Sequence, residues 1–217
     1  PENNIVTIQP DSLRILHNPL TGWVLYASMG VDAADFWAQY DHMYIPELGH
    51  NVSVTDYAHT LYIRASWTDF NPQEDVYGWK IDSNLRAYIE GAYQRNMRLA
   101  FRVVVDSRDK RTEFTPQFVK DAGAKGFMNK GKWSPYSDDP VFQKYYTKFV
   151  KALAKDFNDP SKVEFIDGFG LGKWGEYHTM IYSTGDDTPK KAVFDWVTDI
   201  YSQAFDKVPV VINYHRS

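Results

Sequence analysis

The sequence contains no cysteine. That excludes disulfide bonds, thiol nucleophiles and zinc held by thiolates, and it suits an exported protein. No apolar run approaches the roughly 20 residues that cross a bilayer, and the N-terminal residues lack the basic-then-apolar pattern of a signal peptide. A soluble protein without a transmembrane segment is expected. Positive charge is also short: 24 Lys and Arg stand against 28 Asp and Glu, a net charge of -4. Such a balance offers no basic surface to nucleic acid or an anionic membrane. Histidines His42, His50 and His59 share one loop, but no His/His or His/Glu pair stands at helical i, i+4 spacing. Metal-dependent chemistry is therefore disfavoured, and neither a metal nor a cofactor is expected.

Aromatic residues are abundant at 16%, with 7 Trp and 15 Tyr among 217 residues. Such rings stack on the apolar faces of sugars while their polar tips hydrogen-bond; an aromatic core is the equally weighted alternative for any one ring. The length suits one core, so residues 1–217 are expected to form a single domain.

Apolar, β-branched runs bounded by turn residues place strands at residues 22–28, 61–67, 98–105, 164–169 and 208–214. Between them, apolar residues at helical spacing predict long helices over 80–96, 140–157 and 189–205. Asp139-Pro140 and Thr188-Pro189 read as cap-then-proline starts for the last two. Shorter helices are expected near 33–40 and 116–122, inside two irregular excursions. The triplet Asn51-Val52-Ser53 matches a glycosylation acceptor, a pattern too common to weigh.

Strands alternating with helices imply a parallel sheet with right-handed crossovers. Five such strands fit either a doubly wound sheet or an incomplete eight-stranded barrel. The first strand opens into a long aromatic loop instead of a glycine-rich turn, which favours the barrel. The expected fold class is thus α/β, a (β/α)8 TIM-type barrel of which this chain supplies about the first five strands. The remaining C-terminal part of the barrel is then an expected partner, since open strand edges would make residues 1–217 alone unstable or prone to associate.

The stretch from Glu164 to His178 runs from an apolar strand through glycines to Trp174, Gly175, Glu176, Tyr177 and His178. Ligands bind at the carboxyl ends of strands in parallel α/β folds, so this is the expected site edge. Gly170-Leu171-Gly172-Lys173-Trp174-Gly175 also spells the dinucleotide fingerprint. That motif needs its last glycine to open a helix, and here a turn follows, so nucleotide binding is set aside.

Three segments carry a family resemblance: Asn18-Pro19-Leu20-Thr21-Gly22-Trp23, then Trp67 with Asn71-Pro72-Gln73-Glu74-Asp75-Val76-Tyr77-Gly78-Trp79, then Gly172-Lys173-Trp174-Gly175-Glu176-Tyr177-His178. Together they resemble (β/α)8-barrel glycoside hydrolases, broadly β-galactosidase-like and β-amylase-like. The resemblance implies an oligo- or polysaccharide substrate and an extracellular setting: secreted, periplasmic or cell-surface. It further implies that Glu176, at the end of the fourth strand, is the acid/base glutamate. Many of these enzymes carry Asn before that glutamate; Gly175 stands here, which leaves both retaining and inverting outcomes open. The second carboxylate would come from a later strand. A non-catalytic carbohydrate-binding barrel is the alternative.

Hydrolysis needs one carboxylic acid to protonate the leaving oxygen and a second carboxylate to attack the sugar or activate water. Trp174 and Tyr177 are expected to exclude water around Glu176; a structural ion pair, as with Lys173, is the bland alternative. Arg64 and Arg102 lie inside apolar strands, where an unpaired charge is costly, so each is expected to face a polar mouth or pair with an acid such as Asp167. Asp106, Asn213, Tyr214 and His215 fall at strand ends and, with Arg64, Arg102, Tyr177 and His178, are candidate substrate contacts. Trp67 and Trp174 are the expected stacking rings.

Overall fold

A computed structural model describes residues 22–27, 29–108 and 112–212. In chain order, β1 (Trp23–Tyr26) leads to α1 (Ala33–Asp41), to a hairpin of β2 (Met43–Ile45) and β3 (His50–Val52), and then to β4 (Ala58–Ser66). After β4 come three helices: α2 (Trp67–Phe70), α3 (Gly78–Ile81) and α4 (Ser83–Gln94). Strand β5 (Arg98–Val104) is followed by α5 (Gln117–Asp121) and a second hairpin, β6 (Gly126–Asn129) with β7 (Lys132–Pro135). The chain continues through α6 (Pro140–Phe157), β8 (Val163–Gly168), α7 (Lys190–Ala204) and β9 (Val210–Ile212).

The main sheet runs β1-β4-β5-β8-β9, every neighbouring pair parallel. Its two faces differ in chemistry because strand side chains alternate. Leu61 and Ile63 of β4 and Leu99 and Phe101 of β5 are fully buried. Phe101 meets Phe70 of α2 and Phe157 of α6, so this face carries the helices. The other face is polar: Arg64, Arg102 and Asp167 stand side by side on β4, β5 and β8. A charged row across the middle of a parallel sheet is what a site, not a core, requires.

Side chains cap the starts of α1, α2, α4 and α6. Asp139 accepts from the backbone N–H of Val141 and Phe142, and Pro140 occupies the first turn of α6, the arrangement that proline tolerates best. The expected helix over 80–96 is instead two, because Asp82 ends α3 and its carboxylate caps α4 by accepting from Leu85 N. Helix α7 begins at Lys190 with Pro189 at its cap and no side-chain cap bond, so Thr188 does not serve as expected.

Trp67 is the main correction. Ser66 and Asp69 form a reciprocal capping box, which stops β4 and turns Trp67 into the first residue of α2. Its ring is fully buried against Phe118, Phe142, Tyr146 and Phe149. A ring in that position packs the helices on the sheet and cannot stack on a sugar.

Candidate active site

Strand β8 ends at Gly168, the Gly168–Phe169 peptide bond is cis, and the chain then forms a loop that returns Glu176 toward the charged row. Arg102 is the centre of what it meets. Its Nε lies 2.8 Å and its Nη2 2.5 Å from Asp167 Oδ2, while Nη1 donates to Glu176 Oε1 at 2.8 Å. Tyr62, on β4, donates its hydroxyl to the same Asp167 oxygen at 2.7 Å. Burial, reinforced by Asp167, pushes the Tyr62 hydroxyl far above its ordinary range, so it stays a donor. For Arg102, burial acts against the charge but Tyr62, Asp167 and Glu176 outweigh it and raise its pKa.

The ion pair foreseen for Glu176 exists, but with Arg102 instead of Lys173, whose ammonium sits 4.6 Å from the centre of the Trp174 ring. On its other oxygen, Glu176 has His178 Nε2 at 3.6 Å from Oε2. The His178 ring stands edge-on to Trp174 at 5.6 Å. Trp174 is 40% exposed and is the predicted stacking ring that a ligand can reach.

The loop follows an unusual course. Trp174, Tyr177 and Thr179 have φ of 62°, 55° and 49°, a left-handed conformation that costs a non-glycine residue about 1–2 kcal/mol. Gly172 and Gly175 also have a positive φ, 73°, which glycine adopts without that penalty. Internal bonds run from Lys173 N to His178 O and from Tyr177 N to Leu171 O. Arg64 donates from Nη2 to Trp174 O at 2.9 Å. The last three letters of the dinucleotide fingerprint thus fall in a 3-10 turn, Lys173–Gly175, and the next helix, α7, starts only at Lys190.

Other predicted residues are placed less favourably for a ligand. Tyr177 packs against Phe169 and Phe194 and donates to Lys190 O, so its ring belongs to the α7 side. Asp106 is 6% exposed; Oδ1 accepts from Arg108 N and Ser134 Oγ, and Oδ2 from Arg108 Nε. Its carboxylate is committed internally. Asn213, Tyr214 and His215 lie outside the described residues, as do residues 18–21 of the first resembling segment. Sequence reasoning missed Tyr62 and Arg108 as members of this region. Tyr62 was legible by register, two residues before Arg64 on the same face; Arg108 carried no signal beyond its place past a strand end.

No family profile matches the sequence, and no curated protein matches it. Solved structures do match by fold. An exo-β-1,4-mannosidase from Opitutaceae bacterium strain TAV5 superposes with a TM-score of 0.54 at 15% identity over 88% of this chain. The GH5_18 structure from Streptomyces cattleya in complex with GlcNAc gives 0.55 at 13% identity over 87%. Endo-glycoceramidase II from Rhodococcus sp. gives 0.52 at 15% over 83%. The chain spans 31% of the first of these structures and 43% of the other two. Five parallel strands with flanking helices, matched to that share of longer chains, are a partial (β/α)8 barrel, and the likeness read from the sequence to barrel glycoside hydrolases is met at the level of the fold.

Proposed function

We propose that the protein is a glycoside hydrolase acting on an oligo- or polysaccharide outside the cytoplasm, with Glu176 as general acid. The observation that carries this reading is the position of Glu176. It lies beyond the carboxyl end of β8, over the polar face of the sheet, on the fold that sugar-cleaving enzymes share. Parallel barrels place their chemistry at that end.

A general acid must present its proton to the leaving oxygen. Arg102 engages Oε1, so Oε2, on the His178 side, is the atom that would deliver it. Asp167 is not the second carboxylate, because its Oδ2 already takes Tyr62 and two N–H groups of Arg102. The attacking or water-activating carboxylate is assigned to a later strand of the complete barrel. A separation of about 5–5.5 Å from Glu176 would make the enzyme retaining, and about 6.5–9.5 Å inverting. Trp174 supplies the stacking surface, with Arg64 and His178 beside it.

The test is Glu176→Gln in the full-length protein. Turnover of a glycoside with a poor alkyl leaving group should fall at least about 100-fold. An activated aryl glycoside, which departs without a proton, should lose much less. Equal turnover by variant and parent would sink the assignment. The second reading, a non-catalytic carbohydrate-binding barrel, draws on the Arg102–Glu176 pair, which a purely structural glutamate would also make. Glycan binding with no turnover by the parent protein would favour it.

A further inference from the structure

Three non-glycine residues of the Glu176 loop hold left-handed backbone angles, and such a course persists only where surroundings over-determine it. Two of those three have their carbonyls gripped from outside the loop by arginines. Arg64 holds Trp174 O from β4 at 2.9 Å, and Arg108 Nη2 holds Thr179 O at 2.6 Å. Glu176 sits between the two grips.

Arg108 is itself held rigidly. Its backbone N–H donates to Asp106 Oδ1 at 2.8 Å and its Nε to Asp106 Oδ2 at 2.7 Å. The two side chains are only 12% and 7% exposed. Ser134 of β7 donates its hydroxyl to Asp106 Oδ1 at 3.3 Å and accepts from Ser107 N at 2.8 Å. The guanidinium also lies 5.5 Å from the centre of the Phe127 ring on β6. An unbroken polar chain therefore runs from the β6–β7 hairpin through Asp106 and Arg108 to the far end of the Glu176 loop.

We infer that Arg108, oriented by Asp106, is a positioning residue that clamps the Glu176 loop in its left-handed course and ties it to the β6–β7 hairpin. The catalytic half of this inference rests on the glycosidase reading; the clamp itself does not. Arginine suits the task because its fork serves a carboxylate and a carbonyl together, which a lysine cannot reproduce.

Arg108→Lys and Asp106→Asn, made separately in the full-length protein, test it. Hydrogen exchange of the peptide spanning residues 171–182 should quicken by about 10-fold or more in both variants, while exchange in β5 stays at the parental rate. Glycoside turnover should show kcat lowered about 10- to 100-fold with KM within about 3-fold, the pattern of a misplaced catalytic group. Faster loop exchange in a protein whose parent cleaves no glycoside would defeat the glycosidase reading and leave the clamp standing. Parental exchange of the loop in both variants would overturn the clamp, whatever the activity. Should Arg108→Lys fail to fold, Asp106→Asn decides alone, since it keeps the arginine and removes only its anchor.

Discussion

Arg102 pairs with both carboxylates of the candidate site, Asp167 and Glu176. Its side chain is 13% exposed, against 11% for Asp167 and 27% for Glu176, so little water screens the three charges. Tyr62 offsets part of the imbalance with a neutral hydroxyl bond to Asp167. Removing the guanidinium would leave Asp167 buried without its counter-charge, a change that typically costs about 3–5 kcal/mol. Arg102→Gln is therefore expected to lower the unfolding free energy read from urea denaturation by an amount in that range. Adding Asp167→Asn should recover part of the loss, because the second change removes the stranded charge and the two sites are in contact. Strictly additive losses in the double variant would show that the two residues do not act as a pair.

At the scale of elements, the decisive feature is how β8 gives way to the Glu176 loop. Gly170 has φ 78°, and a Cβ there would lie 2.3 Å from the Tyr146 hydroxyl and 2.7 Å from Val103 O. That hydroxyl, on α6, donates to Phe169 O at 2.9 Å and bonds the Tyr201 hydroxyl of α7 at 2.8 Å. Gly170→Ala must displace it, stranding buried polar groups as well as straining the backbone, for a total of about 3 kcal/mol. Gly185 has the same φ, 77°, but open space around its missing side chain. Its change to Ala should cost only about 1 kcal/mol. Thermal unfolding of the two variants checks the contrast, and similar losses would remove Tyr146 from the argument. The same junction shows what the sequence makes legible. The apolar run before it announced β8, and Asp139-Pro140 announced α6, because both signals are local. Hairpins β2–β3 and β6–β7 went unseen: their strands have only three or four residues, too few for an alternation to mark them. Trp67 was misread although Ser66 and Asp69 spell a capping box. The grip of Arg108 on Thr179 spans 71 residues, and no spacing rule reaches that far.

For the whole molecule, the question is what the outer strands of the sheet meet. Among the described residues, β1 pairs only with β4 and β9 only with β8. Trp23 on β1 is 76% exposed, and Val24, Tyr26, Val211 and Ile212 are also exposed on these two strands. Parallel strands are ordinarily covered on both faces, and unpaired edges with apolar side chains template association. The matched structures are two to three times longer by the shares of their chains that are covered. In a closed barrel, the later strands would lie between β9 and β1. A protein made of residues 1–217 alone is therefore expected to self-associate as its concentration rises from micromolar toward about 100 µM, the range in which exposed edges drive aggregation. Sedimentation velocity reads this directly, and lysines at Trp23 and Val211 should shift the distribution toward monomer, since charge blunts an edge. A single monomeric species over the whole range would mean that residues of this same chain already shield both edges, and the open-barrel account of the two outer strands would have to be abandoned.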